Sequence, residues 1–283
     1  MMNTKPIAII GANGKTGRRV CSKLRSQGLT VRGLSRSTPT PFDWQNTATW
    51  TRALQGCRSA YITFQPDLAV PGADQAIAQL ADVAREVGVE HLVLLSGRGE
   101  DGAQRAEGVL KQSGLDWNIV RSGWFAQNFS EGFMQQGIAA GTLALPAGNT
   151  PEPFIDVDDI ADVVVALLTT SDKRNQLFEV SGPEALTFAL CMQIISDVTG
   201  KSVQYVDIPI DAFISELDAL GADNDVQWLM RELFTVVFDG RNSLPVDGVQ
   251  QVLGRPATDF FAYAYKAAAS GAWLGQPEHK MVV

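Results

Sequence analysis

The stretch from Pro6 to Gly17 constrains this chain more than any other part of the sequence. Four apolar residues, Ile7 to Ile10, are followed by glycines at every third position, Gly11, Gly14 and Gly17. The pattern predicts a buried strand that turns directly into a helix. Glycine suits the first position because the turn needs unusual backbone angles, the second because a phosphate approaches the backbone, and the third because the helix packs closely on the strand. The free N–H groups of such a helix favour an anion.

Two other interpretations of this stretch must be weighed. Gly14, Lys15 and Thr16 resemble the end of an ATP-binding Walker loop, but that motif needs a glycine where this chain has Ile9, so we reject it. An ordinary glycine-rich turn without a ligand stays open, because glycine triplets also occur by chance. Cations in the first turns of the predicted helix, where the helix dipole is already positive, argue for a bound pyrophosphate. They are Lys15, Arg18 and Arg19.

Composition excludes several classes of function. The net charge of −8 and the pI of about 4.8 argue against a nucleic-acid partner, because binding to phosphates needs an excess of Lys and Arg. With two histidines and no Cys/His cluster we expect no metal. The three cysteines, an odd number and widely spaced, suggest reduced thiols. We expect neither a signal peptide nor a membrane partner, and a cytoplasmic location.

The order of predicted elements indicates an α/β fold. Strands and helices alternate up to about residue 120, as in a Rossmann-type, doubly wound parallel sheet. In this reading Phe42–Trp44 forms a short strand, Pro153–Val157 forms another, and Asp158 or Asp159 caps a helix. We predict a Rossmann domain over residues 1–150 with a returning segment around 151–182. A smaller, mostly helical lobe on the substrate side would cover residues 183–283.

The residue after the second predicted strand bears on the choice of cofactor. Folds that prefer NAD usually place an acidic residue about 20 positions beyond the glycines, whereas an arginine accommodates the 2′-phosphate of NADP. This chain has Arg36 there, flanked by Ser35 and Ser37, and no acid before Asp43. The sequence therefore predicts NADP(H), although surface arginines are common and Arg36 as a plain solvated charge stays open.

Two further segments carry a family resemblance. Arg121–Phe129 and Phe154–Ala161, together with the glycine turn and Arg36, resemble the NmrA-like atypical short-chain dehydrogenases/reductases over almost the whole chain. Within that group the chain is similar to the ergot-alkaloid-type iminium reductases, the NADPH:quinone oxidoreductases of type 2 and the triphenylmethane dye reductases.

The resemblance implies roles for individual positions. The loop with Gly11, Asn13, Gly14, Lys15, Thr16 and Gly17 would hold the pyrophosphate. Ser35 and Arg36 would bind the 2′-phosphate, and Asp43 would lie near the adenine. The ribose and nicotinamide would lie among residues that follow three strands: Phe64, Gln65, Ser96, Ser122 and Gly123.

The chain departs from typical short-chain dehydrogenases in one respect. Those enzymes use a Tyr-x-x-x-Lys pair as general acid, and this chain has no tyrosine between Tyr61 and Tyr205. Because such an acid speeds carbonyl reduction by about 10²–10⁴-fold, its absence favours substrates that are already good electrophiles, such as iminium ions, quinones or cationic dyes. Ser96 and Asn128 are the remaining candidates for a catalytic role. The predicted substrate pocket consists of Trp124, Phe125, Asn128, Phe154 and Trp228.

Two functions fit these patterns. The first is an NADPH-dependent reductase of conjugated small molecules. The second is an NADP-binding redox sensor without turnover, similar to the regulatory members of the family.

Overall fold

The computed structural model describes residues 5–274, and this part of the chain contains eight β-strands and eleven α-helices. The strands are β1 (Ile7–Ile10), β2 (Val31–Leu34), β3 (Ser59–Ile62), β4 (His91–Gly97), β5 (Asp116–Ser122), β6 (Thr142–Leu145), β7 (Gln176–Val180) and β8 (Gln204–Asp207). The helices are α1 (Lys15–Ser26), α2 (Trp50–Leu54), α3 (Ala73–Glu86), α4 (Asp101–Lys111), α5 (Met134–Ala140), α6 (Val157–Thr169), α7 (Phe188–Thr199), α8 (Ile210–Ala219), α9 (Asn224–Glu232), α10 (Gly248–Leu253) and α11 (Phe260–Ala269).

The chain forms two compact units, and both are discontinuous in sequence. Within the described residues, the first contains the chain up to residue 122 together with 157–180 and 248–255, and the second contains the remaining segments, 123–156, 181–247 and the chain from residue 256 onward. The chain first enters the second unit at Gly123, earlier than residue 150, where we placed the end of the first domain.

A six-stranded parallel sheet forms the centre of the first unit. Its strand order is β2-β1-β3-β4-β5-β7, which is the order of a doubly wound α/β sheet and confirms the predicted fold class. Every residue of β1 and β3 is buried, and so are the first four residues of β4 and three consecutive residues in the middle of β5, as expected for strands covered on both faces. Helices α1 and α6 pack against each other, and α6 also contacts β3, β4 and β5.

The predicted strand at Phe42–Trp44 is wrong. These residues form an irregular loop, in which the indole N–H of Trp50 donates to the carbonyl oxygen of Asp43 at 2.7 Å. The rings of Phe42 and Trp44 pack edge to face with centroids 5.0 Å apart. Apolar residues at this point therefore pack on one another within a loop rather than forming a pleated strand, and the periodicity of so short a run does not distinguish the two.

The strand predicted at Pro153–Val157 is also absent, because α6 begins at Val157 and only a single bridge, between Ile155 and Phe125, forms before it. Asp158 and Asp159 consequently lie inside the first turn of α6 and do not cap it. They form ion pairs instead: Asp158 with Arg19 of α1 at 2.9 Å, and Asp159 with Arg255 at 2.7 Å. Carboxylates in a first turn also complement the helix dipole.

The second unit holds the two-stranded parallel pair β6-β8 and five helices, α5, α7, α8, α9 and α11, within the described residues. Aromatic rings fill its core. The ring of Phe188 lies 5.4 Å from that of Phe129 and 5.2 Å from that of Phe154. The chain after Asp211 is mostly helical, but residues 239–247 form an irregular segment, in which the Ser243 hydroxyl donates to the carbonyl oxygen of Pro151 at 2.8 Å.

None of the helices in the described part of the chain combines the length and apolar character that a membrane span needs. All three cysteines, Cys21, Cys57 and Cys191, are free and buried, and burial raises the pKa of each thiol.

Candidate functional site

The glycine turn is packed so tightly that no larger residue fits at two of its positions. A Cβ added to Gly11, which has φ +79°, would lie 1.9 Å from the Thr63 hydroxyl oxygen. A Cβ added to Gly17 would lie 2.1 Å from the carbonyl oxygen of Gly11. The first N–H groups of α1 receive no side-chain cap, and the first turn contains no acidic residue. The turn therefore fits a phosphate group, which the helix N-terminus would bind through its backbone.

One of the cations in the first turns of α1 is neutralised within the protein. The Arg19 guanidinium donates to Asp158 at 2.9 Å and to the carbonyl oxygen of Lys15 at 2.9 Å. Arg19 therefore braces α1 against α6.

Polar side chains converge beside the turn at the carboxyl end of β2. The Asn13 amide donates to the Ser35 hydroxyl at 3.0 Å and to the Ser37 hydroxyl at 3.1 Å. Arg36 lies between the two serines in sequence, is exposed, and forms no ion pair within residues 5–274. Three hydroxyl or amide groups and one cation in two neighbouring loops suit a phosphate ester.

A cavity of about 480 Å³ adjoins this loop within the first unit. Asn13 forms part of its lining, and three arginines add positive charge to it: Arg18, Arg25 and Arg32. Arg32 is anchored through donation to the carbonyl oxygens of Ala53 and Gln55 at 2.9 and 2.7 Å. Sequence reasoning gave no ligand role to Arg25 and Arg32, because it could not show that a helix and an edge strand place these cations around one cavity.

The residues predicted near the adenine and ribose are placed as follows. The Asp43 carboxylate accepts from the backbone N–H of Gln45 at 3.0 Å, and thus braces its own loop. The Phe64 ring packs on Trp44 with centroids 4.6 Å apart, and Gln65 is exposed. Thr16 is buried in α1. Ser122 is buried at the end of β5, where its carbonyl oxygen accepts from the backbone N–H of Arg98 at 2.9 Å.

A charged cluster connects the carboxyl ends of β4, β5 and β7 with α4, and we call it the Glu107 cluster. Its members are Ser96, Arg98, Glu107, Arg121 and Glu179. Glu107 is 1% exposed. It accepts from the Ser96 hydroxyl at 2.7 Å and from Arg121 Nε at 2.8 Å, and Arg121 Nη2 donates to its second oxygen.

Arg121 joins the two carboxylates of this cluster. Its Nη1 donates to Glu179 at 2.6 Å, and Arg98 Nε lies 3.5 Å from the other oxygen of Glu179. The pKa of Arg121 is raised above its usual value, chiefly by the hydrogen bond to Glu107. This arrangement was not predictable from the sequence, since a glutamate in a helix of mixed polarity is typical of a solvated face.

The predicted substrate residues belong to the second unit. Trp124 is half-buried, and its ring lies 5.2 Å from Phe234 and 5.3 Å from Phe238. Phe154 is 2% exposed and lies in the aromatic core, a position that favours a packing role. Trp228 is 43% exposed and makes no ring contact with another aromatic side chain of the described residues.

The other residues predicted here surround a short turn. Phe125 pairs with Ile155 in an isolated bridge, and the backbone N–H of Asn128 donates to the carbonyl oxygen of Phe125 at 3.0 Å. Both side chains are half-buried. Gly123 is buried, and a Cβ there would lie 3.3 Å from a Glu152 carboxylate oxygen. Within residues 5–274 no group of His, Cys, Asp and Glu side chains is arranged to hold a metal ion.

Comparison with known proteins identifies relatives along almost the whole chain. The chain is 30% identical to a (4-alkanoyl-5-oxo-2,5-dihydrofuran-3-yl)methyl phosphate reductase of Streptomyces griseus, over 90% of this chain and 95% of the relative. It is 28% identical to festuclavine dehydrogenase of Aspergillus fumigatus, over 93% of this chain and 98% of the relative.

Two solved structures share the fold. An NADPH-dependent quinone oxidoreductase from Escherichia coli superposes with a TM-score of 0.73 at 19% identity, covering 92% of this chain and 98% of the other. NmrA, a negative transcriptional regulator, superposes with a TM-score of 0.66 at 16% identity, covering 96% of this chain and 100% of the other.

These relatives confirm the resemblance to NmrA-like reductases that the sequence motifs indicated. A family model described as NAD(P)H-binding matches residues 11–171. This range starts at the first glycine of the turn and contains β2, the arginines of the cavity and Glu107 on α4. The chain belongs to this NAD(P)H-binding family.

Proposed function

We propose that the protein is an NAD(P)H-dependent oxidoreductase that uses NADPH to reduce conjugated electrophiles such as iminium ions and quinones. The observation that carries the proposal is the glycine turn, in which Gly11 and Gly17 leave no room for a Cβ and α1 begins after Gly14, which has no side chain to cap it. This is the arrangement a pyrophosphate needs.

The chain's own residues supply binding and orientation. The turn from Gly11 to Gly17 would hold the pyrophosphate, and Asn13, Ser35 and Arg36 would hold the 2′-phosphate. When bound, NADPH supplies a hydride to the substrate. Trp124 offers a half-buried aromatic face for a flat substrate, which a ring prefers to meet by stacking or by an edge contact.

We propose further that no Tyr/Lys pair takes part. Tyr61 is fully buried in β3, and burial raises the pKa of its hydroxyl, so it is a poor acid at neutral pH. Helix α4 contains no tyrosine, and its Lys111 lies 3.9 Å from Glu107. A substrate that needs no strong acid fits such a site. An iminium ion that gains a hydride becomes a neutral amine without any proton, whereas a quinone that gains a hydride becomes the hydroquinone anion and takes up one proton from water to give the hydroquinone.

The comparisons support this substrate class. Festuclavine dehydrogenase, the furanyl-methyl phosphate reductase and the NADPH-dependent quinone oxidoreductase are all named as oxidoreductases of small molecules. The alternative, an NADP-responsive regulator without turnover, is favoured by the match to the NmrA structure.

The test is a turnover assay with purified protein. Protein and NADPH are mixed with cyclic iminium ions, quinones or triarylmethane dyes, and loss of the reduced-nicotinamide absorbance is followed beside protein-free controls. We expect turnover with at least one class. Tight NADPH binding with no turnover of any substrate would reject the enzyme in favour of the regulator.

We expect Arg36→Ala to weaken NADPH binding by roughly 10–100-fold, because it removes a charge-assisted hydrogen bond to the 2′-phosphate. NADH lacks that phosphate, so its affinity is expected to change less than about threefold. Calorimetric titration with both nucleotides measures this difference. Arg105→Ala is the matched control, since Arg105 is an exposed arginine on α4. Equal losses for NADPH and NADH would contradict the assignment of Arg36.

A further inference from the structure

The Glu107 cluster fixes the direction of one hydrogen bond at the carboxyl end of β4. Arg121 donates to both carboxylate oxygens of Glu107, from Nε at 2.8 Å and from Nη2. Two charge-assisted bonds of this kind stabilise the ionised carboxylate, which can only accept hydrogen bonds. The bond of 2.7 Å between Ser96 and Glu107 therefore uses the proton of the Ser96 hydroxyl.

The hydrogen bond to Glu107 limits how Ser96 can interact with a ligand. A serine hydroxyl has one proton and two lone pairs, so a Ser96 that donates to Glu107 can offer only lone pairs to a ligand. Such a group cannot donate to a carbonyl oxygen that gains negative charge during reduction. It can accept from an N–H group, and it interacts most strongly when that N–H belongs to a cation.

The hydrogen bonds of the Glu107 cluster are shielded from water, and its charges are balanced. Glu107 is 1% exposed and Ser96 is 4% exposed, so water does not compete freely for their hydrogen bond. Glu179 holds Arg121 from the other side at 2.6 Å, and this second carboxylate balances the charge of the guanidinium. Ser96 lies at the end of a parallel strand, which is where open α/β sheets bind their ligands.

We infer that Ser96 is a hydrogen-bond acceptor for substrate, held in that state by the positioning residues Glu107 and Arg121, and that it selects iminium ions that carry an N–H over quinones and N-alkylated iminium ions. This inference rests on the proposed function and narrows it to one substrate class. The selected reaction adds a hydride to the C=N⁺ carbon and gives a neutral secondary amine, so the proton on nitrogen stays in place throughout.

Two iminium ions that differ in one group test the inference. 3,4-Dihydroisoquinolinium carries an N–H, and N-methyl-3,4-dihydroisoquinolinium carries a methyl group instead. Binding is measured by calorimetry to the protein saturated with NADP⁺, where no hydride is available, and kcat/KM is measured separately with NADPH. We expect the wild-type protein to bind the N–H ion about 10-fold more tightly or better, the range of one hydrogen bond to a charged group.

Ser96→Ala removes the acceptor and is expected to abolish this preference while it changes binding of the N-methyl ion less than about twofold. Glu107→Gln removes the fixed charge that orients the Ser96 proton, and is expected to reduce the preference in part, with circular dichroism reporting whether it folds. Ser96→Thr keeps the hydroxyl and should keep the preference.

Binding and turnover test the acceptor role of Ser96 and the proposed function separately. The acceptor role is overturned if the wild-type protein binds both ions equally, or if Ser96→Ala loses the same affinity for both. In that case, turnover of a quinone or of either ion still supports the proposed function. A binding preference that Ser96→Ala removes, without turnover of any substrate, supports the acceptor role and rejects the reductase.

Discussion

Gly17→Ala is expected to lower NADPH affinity by on the order of 100-fold and to destabilise the fold by about 1–3 kcal/mol. A Cβ at this position would lie 2.1 Å from the Gly11 carbonyl oxygen and 2.8 Å from its carbonyl carbon. These are backbone atoms that no rotamer change can move aside, so α1 must shift away from the turn. The N–H groups that would bind the pyrophosphate shift with it.

A graded series of glycine variants makes this prediction specific. Gly108, on α4, has open space where a Cβ would be, and Gly108→Ala should leave NADPH binding unchanged and stabilise the helix by about 0.5–1 kcal/mol. Gly14 is intermediate, with 3.2 Å to the Gly11 oxygen. Fluorescence titration with NADPH and urea denaturation give the two readouts. Wild-type affinity in Gly17→Ala would show that the turn does not bind the cofactor.

Arg121→Ala is expected to lower the free energy of unfolding by about 3–5 kcal/mol, since it leaves the Glu107 carboxylate buried without its two strongest donors. The control is Arg85→Ala. Arg85 pairs with Asp82 at 2.6 Å, but both side chains are more than half exposed, so the loss should be no more than about 1 kcal/mol.

A double variant distinguishes loss of a charge partner from loss of packing. Arg121→Met combined with Glu107→Leu replaces the buried pair by apolar side chains, and this change should recover much of the stability lost in Arg121→Ala. Urea denaturation of the three variants measures the differences. Equal losses in Arg121→Ala and Arg85→Ala would contradict a special role for the buried pair.

The backbone of the first unit was predictable from the sequence because local signals and the fold agree there. The run Ile7–Ile10 predicts a strand buried on both faces, and the glycines that follow predict a tight turn from this strand into a helix. Phe42–Trp44 was not predictable in the same way. Two aromatic residues on either side of an aspartate satisfy the alternating pattern of a strand, and only the packing of Phe42 and Trp44 on Trp50 shows that they belong to a loop.

Some residues of the candidate site were likewise predictable from the sequence, and others were not. Asn13, Ser35 and Arg36 lie within two short segments, and the role that we propose for them follows from their spacing in the sequence. The environment of Ser96 depends on Glu107 and Arg121, which are 11 and 25 positions away and come together only when α4 packs against the strand ends. Trp124 and Phe154 are both aromatic residues in the segments that carry the family resemblance, but Trp124 is half-buried and Phe154 lies in the core. Tertiary packing alone decides this difference.

The discontinuity of the first unit has a consequence for its synthesis. Its sheet lacks β7 until residue 180 has been made, and α10, whose Gly248 packs against the carbonyl oxygen of Glu179, comes later still. Arg255 of the same segment then pairs with Asp159 and Asp162 on α6. A chain that emerges from the ribosome amino end first thus carries β5 as an unpaired, aggregation-prone edge until β7 has been made. The nucleotide-binding unit is therefore complete only after residue 255 has been made.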